Sequence, residues 1–120
     1  MGFTNNFLGA LSLVDEPFEY FAFSDQDDVW YEDKIENALE AISQYPSDKP
    51  VLYCARTTIT DETCTTDLGM SKLFKKPPSF ANALVQNIGG GNTMVLNRAA
   101  RDLIVKSSEN VNVVSHDWWC

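Results

Sequence analysis

The sequence predicts an α/β domain, and three observations carry that expectation. Apolar residues at helical spacing recur in several separate windows, short apolar runs of strand length lie between them, and turn residues punctuate the joins. With 120 residues the chain is one domain at most, and 44% hydrophobic content gives it a modest core.

Phe3, Phe7, Leu8, Leu11 and Val14 predict a first helix to about Val14, with Thr4, Asn5 or Asn6 as caps and Asp15-Glu16-Pro17 as its stop. The aromatic run Tyr20 to Phe23 reads as a buried strand ending at Ser24. Ile35, Leu39 and Ile42 form the stripe of the next helix, with Glu32 and Asp33 suited to its first turn and Pro46 beyond its end. Val51 to Ala55 reads as a second strand. Thr57 to Pro78, rich in Thr, Asp and Lys, has no clear period and reads as a long loop. Phe80 to Val85 reads as a short helix, Gly89-Gly90-Gly91-Asn92 as the entrance to a strand over Thr93–Leu96, and Asn97 as cap of a helix carrying Ala100, Leu103 and Ile104. Val111 to Val114 reads as a short strand, and Ser115 as cap of a last helix opening His116-Asp117-Trp118-Trp119. Two Trp side chains in a helix cut off in its first turn suggest a piece of something longer.

Charge and cysteine content narrow the function. A formal charge of −8, with nine Lys and Arg that form no basic stripe, excludes a nucleic-acid backbone as partner. No apolar run approaches bilayer length, and Met1-Gly2-Phe3 lacks the charged start of a secretion signal. Cys54, Cys64 and Cys120, odd in number and without C-x-x-C spacing, fit reduced thiols in a cytoplasmic setting.

The chemistry concentrates in Phe21-Ala22-Phe23-Ser24-Asp25-Gln26-Asp27-Asp28-Val29-Trp30. Carboxylates released at the end of a buried strand face a crevice. Three so close repel unless a cation sits among them, and an oxygen-only set suits Mg²⁺ or Mn²⁺. The bland alternative is an acidic loop capping the next helix. A calcium-loop reading, with Asp25, Asp27 and Glu36 at positions one, three and twelve, fails because Trp30 stands where Gly is required. A phosphatase reading takes Asp25 as nucleophile in Asp25-Gln26-Asp27-Asp28-Val29, but the later acidic pair for Mg²⁺ is missing. A non-catalytic cation-binding module is the third possibility. Lys72, Lys75 and Lys76 read most simply as a solvated loop, with phosphate or anionic lipid the weaker reading.

Taken together, the string Phe23-Ser24-Asp25-Gln26-Asp27-Asp28-Val29-Trp30, the helix start Asp33-Lys34-Ile35, the entrance Gly90-Gly91-Asn92-Thr93-Met94 and the terminal His116-Asp117-Trp118-Trp119 resemble the family 2 glycosyltransferases. The resemblance is particularly to rhamnosyltransferase-like members that build bacterial surface polysaccharides, and it covers nearly the whole chain. The resemblance implies a partial GT-A fold, a Rossmann-like α/β sandwich with a central mixed sheet. It implies inverting, metal-dependent transfer from a UDP- or dTDP-sugar to a saccharide or lipid-linked acceptor in polysaccharide or O-antigen assembly, at the cytoplasmic membrane face.

By the same resemblance, Asp27 is the foremost metal ligand, Asp25 lies near the ribose or metal, and Asp28 assists, with a divalent Mn or Mg as cofactor. Asp117 matches the base that takes the acceptor proton. Gly91 and Asn92 lie beside acceptor and sugar, and His116 orients Asp117. Trp30 and Trp118 are sugar platforms or core residues in equal measure. The family's base-binding half precedes the matched stretch, so the chain is expected to be truncated at both ends, to bind nucleotide sugar poorly alone, and to self-associate through an exposed sheet edge.

Overall fold

The computed structural model describes residues 3–109 and 111–120; Met1 and Gly2, read above as part of a start without a secretion signal, lie outside them. Its centre is a strand that belongs to two cores at once. This strand, β5 (Val95–Asn97), lies between β1 (Tyr20–Ala22) and β2 (Leu52–Tyr53), both antiparallel to it, so β1 and β2 run parallel to one another. Phe21 and Leu52 both stand opposite Leu96, and Ala22 and Tyr53 both stand opposite Val95. Successive strand residues point to opposite faces. Leu96 therefore joins Leu8 and Leu11 of α1 (Phe3–Leu13) and Ala100 and Ile104 of α4 (Arg98–Ser108), with Phe23, Met94 and Val113 completing that core. Val95 faces the other way, onto Ala38 and Ile42 of α2 (Lys34–Ser43), with Val51 and Tyr53 alongside. The result is the expected α/β class, with helices on both faces of a small sheet, but among the described residues its pairings are all antiparallel where a mixed sheet was expected.

The stripe of α2 is shifted from the expected one. Ala38 and Ile42 are buried, Leu39 is half-buried and Ile35 is exposed. A small side chain at the closest approach lets the helix backbone settle on Val95, a place that a leucine would hold open. At the end of α1, Arg101 reaches across from α4 and donates from Nε and Nη2 to the Leu11 carbonyl, at 3.0 and 2.8 Å, and from Nη2 to that of Val14 at 2.8 Å. A cation there satisfies orphan carbonyls and complements the negative end of the helix. Thr4 does not cap α1. It lies inside the helix, buried, and its hydroxyl donates to the Val114 carbonyl at 3.1 Å.

The strand β1, read as buried, leaves Tyr20 and Ala22 exposed and Phe21 half-buried, and only Phe23 beyond its end enters the core. Two expected elements fail as well. The stretch after Thr57 holds a hairpin of β3 (Thr58–Thr60) and β4 (Asp67–Met70), built on polar contacts with no buried apolar face. Asp61 organises its turn: hydrogen bonds from Thr66, Thr65 and Thr63 hold this carboxyl well below the usual range, and Cys64 takes a left-handed φ of 56°. The second failure is Val111 to Val114, which forms no strand. Val113 enters the core, Val114 is 90% exposed, and the Val114 carbonyl is engaged by Thr4 and so lost to any sheet partner. Shorter elements follow expectation: α3 (Phe80–Ala83) and α5 (His116–Trp119). Among the described residues no helix is long and apolar enough to cross a membrane. The outer strands β1 and β2 are three and two residues long, short templates for pairing with another chain.

Candidate functional site

The acidic loop leaves β1 where expected. Asp25, Asp27 and Asp28 are all exposed, and the loop is held at two points. Asn92 donates from its side-chain amide to the Asp28 carboxylate, a contact that bridges 64 positions. Lys34, in the first turn of α2, donates from Nζ to the Asn92 carbonyl at 2.7 Å and lies 3.5 Å over the Trp30 ring. Partial burial pushes the Lys34 ammonium below its ordinary pKa of 10.5, while Asp28 and Asp25 pull in the opposite direction. Its cation joins the acidic loop to the Asn92 turn.

That turn, a single 3-10 turn over Gly91–Thr93, touches the other end of the chain as well. A Cβ built on Gly91 would stand 2.4 Å from His116 Nε2 and 3.2 Å from Asp117 Cβ, so only a glycine fits between the loop and α5. Asp117 is half-buried and oriented at both oxygens. Oδ2 accepts from Asn87 Nδ2 at 3.0 Å and Oδ1 accepts from the Ser115 hydroxyl. Ser115 stands at the start of α5 as expected, but its side chain serves Asp117 and makes no capping bond. Asn87 is fixed in turn, accepting from Gly89 N at 3.0 Å and donating to Gly89 O at 2.6 Å.

His116 is 6% exposed. Its ring stacks on Phe7 at 4.4 Å between centroids and meets Phe23 edge-on at 5.2 Å, tying α5 to α1 and to the exit of β1. Burial pushes its imidazole below the ordinary 6.5, opposed by Asp117 and Asp25. Asp25 and Asp117, 92 positions apart, thus act on one ring.

A pH test follows. Because the folded value lies below the unfolded one, the unfolded chain takes up the proton first as pH falls. The stability contributed by the neutral ring is complete above about 6.5 and is lost as pH falls through the folded value. NMR titration of the chain's one histidine should give a folded midpoint below 6.5, and urea unfolding below that pH should show a loss of stability that His116→Gln removes.

A cavity of about 330 Å³ opens beside the acidic loop, lined among others by Asp27, Asp28, Trp30, Lys34, Arg56 and Asn92. Asp25 is not among its lining residues, and neither are His116, Asp117 and Trp118. Trp118 is 48% exposed and its indole donates to the Ala83 carbonyl, so it fastens α5 to α3. Trp119 donates to Ser107 Oγ at 3.1 Å, fastening α5 to α4. Among the described residues no three His, Cys, Asp or Glu side chains converge as a metal cage. Asp27 and Asp28 offer exposed oxygens into the cavity, the donor type of a hard cation held by one or two carboxylates and completed by substrate phosphates. Cys54, Cys64 and Cys120 are free.

Sequence reading missed Lys34 as a clamp, Asn87 as a holder of Asp117, and Arg56 as a wall residue. Asn87 had a readable signal, since an Asn two residues before a glycine is a side-chain-to-backbone turn. Nothing local marks Arg56.

Comparison with known proteins gives one partial likeness. The chain is 48% identical over 42 residues to a dTDP-rhamnosyl transferase, RfbG, of Shigella flexneri. The matched stretch is 34% of this chain and spans 14% of that relative's length. No protein-family profile matches the chain. No solved structure matches it.

Proposed function

We propose that this chain is the catalytic segment of an inverting, metal-dependent glycosyltransferase that moves a sugar from a dTDP- or UDP-sugar to an acceptor hydroxyl in polysaccharide assembly. The observation that carries the reading is the Gly91–Asn92 turn, which meets the acidic loop through Asn92 and Asp28 and meets the Asp117 helix through the space that only Gly91 leaves. A donor-side carboxylate group and a carboxylate fit to act as base are thereby joined by one short turn. The likeness to a dTDP-rhamnosyl transferase over 42 residues supports glycosyl transfer as the class of reaction.

In this reading Asp27, with Asp28 beside it, would hold a divalent cation, which would supply charge neutralisation for the leaving group. Asp117, oriented by Asn87 and Ser115, takes the proton from the acceptor hydroxyl. His116 does not touch the acceptor. Buried between Phe7 and Phe23, it sets the position of α5 and so of Asp117. Lys34 holds the Asn92 carbonyl and keeps the turn in register with Asp28.

Calorimetric titration with dTDP-rhamnose in Mn²⁺ tests the reading. Weak, roughly millimolar binding is expected, reduced about tenfold or more by Asp27→Asn and left within about twofold by Asp117→Asn. Binding of equal strength in EDTA and in Asp27→Asn would remove the metal from the scheme. Transfer to a saccharide that survives Asp117→Asn would remove the base.

A further inference from the structure

A second cavity, about 480 Å³, adjoins the first and shares Arg56, Thr57, Asn92 and Thr93 with it. The two differ in charge. The first is lined by Asp27, Asp28 and Asp33 together with Lys34 and the shared Arg56, whereas the second is lined by Arg56, Lys72 and Lys76 and by no Asp or Glu. The chain has 17 acidic and nine basic residues, so a cavity with three cations and no carboxylate runs against the composition of the whole. Among the described residues the one ion pair is Arg101 with Asp102, so none of these three cations is matched by a protein carboxylate.

Arg56 is fixed in place. Its Nε and Nη2 donate to the Ser71 carbonyl at 2.8 and 2.5 Å, and the same junction is tied by Ser71 N to Thr57 O at 2.8 Å and Thr57 N to Ser71 Oγ at 2.9 Å. The guanidinium is therefore held at the cavity wall by the base of the hairpin. The lining also includes Asn87, whose amide donates to Asp117. The cavity has the volume of a small-ligand site.

We infer that this cavity takes the acceptor, and that the acceptor carries an oxyanion, phosphate or carboxylate, which Arg56, Lys72 and Lys76 bind while the rest of the molecule extends toward Asp117. The word acceptor rests on the transferase reading; the oxyanion site does not. Charge-assisted hydrogen bonds to a fixed guanidinium and two ammonium groups would give such a ligand both affinity and direction.

The test uses the chain alone, without metal or nucleotide, so its outcome is independent of donor binding. Glucose 1-phosphate and glucuronate are titrated in parallel by amide NMR, with sodium chloride at matched ionic strength as control. Saturable shifts at Ser71 to Phe74 and at Gly89 and Gly90 are expected with one or both ligands. The stronger ligand identifies which oxyanion the acceptor bears. The double variant K72Q/K76Q, altered only at exposed side chains, should weaken binding about tenfold or more. Shifts no larger than those from chloride, or binding unaltered in the double variant, would overturn the inference. If the site binds oxyanions and the dTDP-rhamnose titration fails, the cavity stands and the donor reading falls.

Discussion

Replacing Asn97 by alanine should destabilise the chain by about 3–5 kcal/mol, the largest effect expected of any single exchange here. The side chain is 5% exposed and makes three hydrogen bonds. Its oxygen accepts from Ala100 N at 2.9 Å, capping α4, and from Val51 N at 2.9 Å, while its amide donates to the Lys49 carbonyl at 2.7 Å. One residue thus ends β5, starts α4 and fixes the approach to β2. Alanine removes all three partners and leaves each group to find water in a space with little room for it. Urea unfolding should show a lower midpoint with an unchanged slope. Asn97→Asp separates the contributions, because the carboxylate keeps both acceptor roles but replaces the bond to Lys49 with an oxygen–oxygen contact; its cost should be about 1–3 kcal/mol. An alanine variant with a wild-type midpoint would mean that Asn97 is not the joint between these elements.

Gly91→Ala should cost about 2–3 kcal/mol through overpacking and should move α5 as well. The added methyl would meet His116 Nε2 at 2.4 Å, and the ring has nowhere to retreat, with Phe7 stacked on it at 4.4 Å and Phe23 at its edge. Relief comes by displacing the turn, which disturbs Asn92 and Asp28, or by displacing α5, which carries Asp117. Thermal unfolding reads the first consequence and amide shifts of residues 115–119 read the second. An unchanged midpoint with unchanged shifts would show that the turn is looser than its geometry implies. Gly90 makes a useful contrast. A Cβ there approaches only the Asn92 side-chain oxygen, at 2.8 Å, and a side-chain end moves more readily than a wedged ring.

Much of this was legible in the sequence where a residue's job is local. The cap at Asn97 was readable because Asn immediately before a periodic apolar run is a helix start, and the capping bond to Ala100 is made. The exit of β1 into three aspartates was readable because apolar and acidic blocks meet within a few positions. The β3–β4 hairpin was not, because its turn is held by the hydroxyls and amides around Asp61, and no apolar alternation announces it. Asp28 with Asn92 and Asn87 with Asp117 are contacts across 64 and 30 positions, between polar residues that carry no periodicity. The Lys72 to Lys76 run looked like a solvated loop for the same reason, since Arg56, the third cation, is supplied by the link between β2 and β3. What the pattern of residues conveyed was where functional groups leave the scaffold; which of them meet depends on packing.

The position of β5 has a consequence for how this molecule comes apart. Both neighbouring strands hydrogen-bond to β5 and not to each other, and its two consecutive buried side chains are divided between the cores. The hairpin of β3 and β4 contributes no residue to either core. Any fluctuation that frees Val95 and Leu96 disturbs both helical layers together.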